Sequence, residues 1–111
     1  TRCSRDWSSD VCSSDLTLIG CDVDFHRAIY RLSGNSAIEE TVSVQWPHMR
    51  RSMATVLGEL DYRASAWAEH EAIAALILAG DADGAETAAR KHAITAGEFT
   101  EQRLAASSQA A

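Results

Sequence analysis

The chain has 111 residues, of which 46% are hydrophobic, and its formal net charge is −6. This length is enough for one small domain with a packed core. The negative charge argues against direct binding of nucleic acid by this segment, since phosphate binding needs a basic surface. No apolar run reaches the roughly 18 to 20 residues that span a bilayer, and no secretory signal is visible. We therefore predict a cytoplasmic protein without membrane contact.

The beginning of the chain differs in composition from the rest. The run RDWSSDVCSSDL, from Arg5 to Leu16, is rich in Ser and Asp, lacks helical periodicity and resembles the translation of a sequencing-adapter oligonucleotide. Residues 1–16 are therefore predicted to be a non-native leader, disordered or irregular, without evolved function. On this interpretation Cys3 and Cys12 are disregarded, and Cys21 is a small buried residue of a reduced protein.

Two helices are predicted in the first half of the remaining chain. The first covers residues 17–32 and ends near Gly34, which can adopt the left-handed conformation of a helix stop. The second begins with Ser36 as N-cap and Glu39 three residues later, a capping-box pattern. Pro47 falls inside this second helix and should kink it or divide it in two.

Two further helices are predicted in the second half. One covers about residues 64–79 and ends at Gly80, and the next, capped by Asp81, covers about residues 82–105. Residues 17–106 are thus predicted to form the domain, and residues 107–111 a flexible tail. Nothing alternates as a strand would. We predict an all-α fold, an antiparallel bundle of about four helices whose second helix is kinked at Pro47.

Three histidines and one aspartate have the pattern of a metal site. Asp22 and His26 are four residues apart and share a helix face, whereas His70 and His92 lie in two later predicted helices. Each of the four lies within an apolar stripe at helical spacing, so all four should point inward. Imidazole and carboxylate groups are ligands for divalent cations. The alternative is that these histidines are core residues that are hydrogen-bonded without any metal.

Several short motifs together resemble a known family. They are CDVDFH at 21–26, LSGN at 32–35, AEH at 68–70 and AGD at 79–81, followed by Ala85 and His92. Over about residues 18–103 this order resembles the FCD domain, the C-terminal effector-sensing domain of FadR-type regulators in the GntR family of bacterial transcription factors.

The resemblance implies a function and a set of ligands. Asp22, His26, His70 and His92 match the metal-binding positions of the metal-dependent members, where zinc, nickel, manganese or iron are all compatible with the ligands. It further implies a small carboxylate effector that completes the coordination of the metal. The intact regulator would be a homodimer that binds DNA only through an N-terminal winged helix-turn-helix domain, which this chain does not contain, and it would not be an enzyme.

Candidate effector ligands are less clearly marked. Arg50 and Arg51 are candidates because a guanidinium group binds a carboxylate through two hydrogen bonds, and Asn35 is a further candidate. Trp46 and Trp67 are interpreted as packing residues.

Two other functions compete with the sensor interpretation. A metal-dependent hydrolase is conceivable, but the chain lacks an adjacent His-Asp pair and a His-Glu-x-x-His motif. Glu69 and Glu71 flank His70, and because helix neighbours diverge by about 100°, neither is predicted to face the metal. The second alternative is a metal-free helical dimerisation module. His48 fits no ligand pattern and is interpreted as a helix-surface or interface residue.

Overall fold

The protein is all-helical over the part of the chain that the structure describes. The computed structural model describes residues 15–110, and their side chains from 17 to 109. The helices are α1 (Asp15–Leu32), α2 (Ser36–Ser43), α3 (Trp46–Val56), α4 (Leu60–Leu78) and α5 (Ala82–Ala110). The prediction of an all-α fold is confirmed. The predicted leader up to residue 14 lies outside the described residues.

The helices belong to two compact units, the first ending at Leu57 and the second beginning at Gly58. In the first unit α1 packs against α2 and α3. Its buried side chains include Leu18 and Phe25 of α1 and Met53 of α3. None of the helices in the described range is both long and apolar enough to cross a membrane.

The start of α2 differs from the prediction. Asn35, and not Ser36, is the N-cap, and its side-chain oxygen accepts a hydrogen bond of 3.1 Å from the amide of Ala37. Glu39 does not complete a capping box, because its carboxylate instead accepts hydrogen bonds from Arg27 and Arg31 of α1. The hydrogen bonds from Arg31 and then from Arg27 lower the pKa of Glu39. The carboxylate therefore fastens α2 to α1.

The second predicted helix is divided into two separate helices near Pro47, which is one of the two outcomes predicted for this proline. The helix stops at Ser43, and a new one begins at Trp46 with Pro47 in its first turn. Proline has no amide hydrogen and is tolerated in the first turn, where no intrahelical partner would be available. The described residues consequently form five helices, where about four were predicted.

The second unit is an antiparallel pair of helices, α4 and α5, that pack against each other. Gly80, with φ of 77°, ends α4, and the amide of Asp81 donates to the carbonyl of Leu76, as in a Schellman motif. The Asp81 carboxylate then accepts from the amide of Gly84 and caps α5, as predicted. α4 begins at Leu60, four residues before its predicted start. α5 continues to Ala110, so most of the predicted flexible tail is helical, and its flexibility stays a prediction.

Aromatic and charged contacts join α4 and α5 at the end of the hairpin opposite the turn. The rings of Tyr62 and Phe99 stack with centroids 4.5 Å apart. Arg103 lies over Phe99 and its Nη1 is 3.0 Å from Oε1 of Glu59. These contacts fix the register of α4 against α5, on which the histidine site depends.

Cys21 is buried, as predicted, with 2% of its surface exposed. It is, however, bonded in a disulfide, so the prediction of a reduced thiol is wrong. Cys3 and Cys12 lie outside the described residues.

Candidate metal centre

Two histidines meet inside the α4–α5 hairpin. His70 on α4 and His92 on α5 are 1% and 6% exposed. Their Nε2 atoms are 3.2 Å apart, and the two rings meet edge to face. Two nitrogen atoms that could bind a metal therefore lie side by side in an apolar interior. The inward orientation predicted for both residues is confirmed.

The predicted pair on α1 also forms a contact. Oδ1 of Asp22 is 3.1 Å from Nε2 of His26, one helical turn further along, and their side chains are 11% and 20% exposed. The ring of His26 meets that of Phe25 edge to face. Burial raises the pKa of the Tyr30 hydroxyl, and the negative charge of Asp22 raises it further. A carboxylate and an imidazole thus share one face of α1, as the spacing predicted.

The spacing of the His70 and His92 nitrogens can be compared with that of two ligands of one ion. Two nitrogens bound to one ion at about 2.0–2.1 Å lie roughly 2.9–3.4 Å apart for bond angles of about 90–110°. The 3.2 Å between His70 and His92 is within that interval. The His70–His92 pair therefore fits a divalent cation, and His26 and Asp22, which contact each other on α1, stay predictions as further ligands.

A carboxylate that was not predicted to face the metal contacts His92. Oε1 of Glu69 is 2.6 Å from Nδ1 of His92, and the Glu69 side chain is 32% exposed. Glu69 was predicted not to face the metal because it precedes His70 on the helix. Its partner is instead the outer nitrogen of His92, on the other helix of the hairpin. No local sequence signal identifies this contact, since 23 residues separate the two side chains.

The predicted effector ligands lie at the surface. Arg50 and Arg51 are both exposed on α3, and Arg51 contacts His48, which is exposed as predicted. Asn35 is exposed at the N-terminus of α2, where it lines a cleft of about 200 Å³ together with Arg31 and other residues of that turn. The role of all three in effector binding stays a prediction.

Trp67 provides a buried donor beside the histidines. Its ring centroid is 5.1 Å from that of His70, and 5% of its surface is exposed. Its Nε1 has no acceptor within the described part of the chain. A buried N–H without a partner is costly, of the order of 1–3 kcal/mol, so a ligand oxygen would be favourable there.

The comparison with known families agrees with the geometry. The FCD domain model matches residues 9–95, most of the chain. That match begins inside the predicted leader, whose boundary at residue 16 stays a prediction. No curated protein and no solved structure gives a significant match. The chain therefore belongs to the FCD family, the effector-binding C-terminal domains of GntR/FadR-type regulators, which act in transcription and are not enzymes.

Proposed function

We propose that this domain is a metal-dependent sensor of a small organic acid. His26, His70 and His92 would hold one divalent cation together with Asp22. The observation that carries the proposal is the pair of buried imidazoles of His70 and His92, whose Nε2 atoms are 3.2 Å apart. Three neutral imidazoles and one carboxylate leave a divalent ion with about one unit of positive charge. A carboxylate effector supplies the missing negative charge where the attraction is strong, in an apolar interior.

The effector site needs hydrogen-bond donors as well as a metal. The indole N–H of Trp67, buried next to His70, is suited to an effector oxygen. Because Trp67 is buried, water competes less for its N–H than for the exposed guanidinium groups of Arg50 and Arg51. We propose Trp67 in addition to Arg50, Arg51 and Asn35 as an effector-binding residue.

In the intact regulator, effector binding would alter the arrangement of the attached DNA-binding domains. An effector that binds one arrangement more tightly than another shifts the population between them. We propose that the regulator acts in the cytoplasm as a homodimer, and that it reaches DNA through a winged helix-turn-helix domain.

One alternative explains the same contact without a metal. A distance of 3.2 Å between two Nε2 atoms also suits an N–H···N hydrogen bond in a plain dimerisation module. Metal analysis separates the two functions. The 111-residue chain, dialysed against zinc, nickel or manganese salts, should retain one ion per chain by mass spectrometry, and His70→Ala and His92→Ala should lose it. The exposed His48→Ala is the matched control and should retain the metal.

Two outcomes oppose the sensor proposal. Wild-type protein without bound metal under all these conditions would favour the dimerisation module. Retention of the ion in both His70→Ala and His92→Ala would show that the metal is held elsewhere. The effector is tested by calorimetric titration of acetate, succinate and citrate into metal-loaded protein, where Trp67→Phe should weaken the acid but not the metal.

A further inference from the structure

Both ring nitrogens of His92 contact side chains of α4, those of the consecutive residues Glu69 and His70. Its Nε2 is 3.2 Å from Nε2 of His70, and its Nδ1 is 2.6 Å from Oε1 of Glu69. We propose that Glu69 is a positioning residue that fixes the tautomer and direction of the His92 ring, and thereby makes Nε2 the metal-binding atom. The inference rests on the proposed metal-binding function.

The assignment of atoms follows from the donors and acceptors available. A neutral imidazole carries one N–H and one lone pair, and an ionised carboxylate can only accept. Nδ1 of His92 must therefore carry the hydrogen that is donated to Glu69, and the lone pair must be on Nε2. That lone pair is on the side of Nε2 of His70, and a shared cation would lie between these two nitrogens. The opposite tautomer would set two lone pairs, on Nδ1 and on the carboxylate, against each other at 2.6 Å.

Glu69 also acts through its charge. A carboxylate hydrogen-bonded to the outer nitrogen of an imidazole makes the ring a stronger donor to a metal and restricts its rotation. The acid that follows His70, Glu71, is exposed. The two acids adjoin His70 on the same helix, so Glu71 is the matched control for Glu69.

The test measures metal affinity in the whole 111-residue chain. Zinc affinity, determined by competition with a chromogenic chelator, should fall about 10- to 100-fold in Glu69→Ala. Glu71→Ala should bind as the wild type does. Glu69→Gln keeps an oxygen that accepts from Nδ1 but removes the charge, so its loss should be smaller than that of Glu69→Ala.

A second readout needs no metal. Long-range ¹H–¹⁵N spectra of the metal-free protein at alkaline pH should show His92 protonated on Nδ1 in the wild type, in Glu69→Gln and in Glu71→Ala. Glu69→Ala should show a mixture of tautomers. A residue that only stabilised the fold would not change the tautomer of one ring.

The outcomes separate this inference from the proposed function. A wild-type chain that binds no zinc but has Nδ1-protonated His92 dependent on Glu69 would refute the metal site and keep the positioning role. Glu69→Ala with wild-type zinc affinity and an unchanged His92 tautomer would overturn the inference. If Glu69→Ala does not fold, an Nε2-protonated His92 in the wild type would overturn it equally.

Discussion

Replacing Ile73 by alanine should destabilise the α4–α5 hairpin strongly, whereas the same truncation at Leu78 should have little effect. Both residues are branched aliphatic side chains on α4, but Ile73 is 2% exposed and Leu78 is 87% exposed. Truncation to alanine removes three carbon atoms in each case, worth about 0.8 kcal/mol each when fully buried. Comparison of the two variants therefore isolates burial from side-chain chemistry.

The magnitudes follow from the exposed fractions. For Ile73 the transfer contribution is about 2.4 kcal/mol, and the cavity left behind brings the expected loss to about 2–5 kcal/mol. Ile73→Val should cost only about 0.5–1.5 kcal/mol. For Leu78, with 87% of its surface exposed, the expected loss is about 0.3 kcal/mol. In thermal unfolding the Ile73→Ala variant should melt roughly 8–40 °C lower, at about 4–8 °C per kcal/mol.

The assay is urea unfolding followed by circular dichroism, in a metal-chelating buffer and again with zinc. If the metal site forms, zinc at about 100 times its dissociation constant should add about 2.7 kcal/mol to the wild type. Equal losses in Ile73→Ala and Leu78→Ala would refute the reasoning, because they would show that the two side chains are covered to the same extent in solution.

Three further predictions concern the turns and the first unit. Gly80→Ala should destabilise the protein by about 1–2 kcal/mol, because φ is 77° at this position. Gly97→Ala inside α5 should instead stabilise it by up to about 1 kcal/mol, because no atom lies within 4 Å of the added methyl group. Thermal unfolding of both variants checks the contrast. The pKa of Glu39 is lowered in the folded state, so its stabilising contribution is present above the ordinary carboxyl pKa and disappears as the pH falls through the lowered value. Glu39→Gln should therefore melt below the wild type at neutral pH and together with it in acid, and a constant difference across a pH series would contradict this. Asn35→Ala should destabilise the protein by about 0.5–2 kcal/mol through loss of the N-cap, whereas Asn35→Ser should keep both the cap and the melting temperature. If Asn35→Ser nevertheless binds citrate more weakly, the side-chain amide of Asn35 belongs to the effector site.

Local rules in the sequence were sufficient for the all-helical class and for the helix faces on which the candidate ligands lie. Helical spacing placed Asp22 and His26 on one face, because residues four apart in a helix lie one turn above each other. The same periodicity put His70 and His92 on inward faces, and both are buried. Gly80 and Asp81 marked the turn between the last two helices, since a left-handed glycine and a side-chain cap act within a few residues.

The tertiary structure decided which side chains meet across helices. The contact between Glu69 and His92 depends on the register of α4 against α5, which is set by packing at the far end of the hairpin and not by any local pattern. The partners of Glu39 could not be predicted from the local sequence either. Its carboxylate could complete a capping box or accept from two arginines on another helix, and in the structure it accepts from the arginines. Helical periodicity determines the direction of a side chain from its own axis, but only the packing of a second helix determines what that side chain touches.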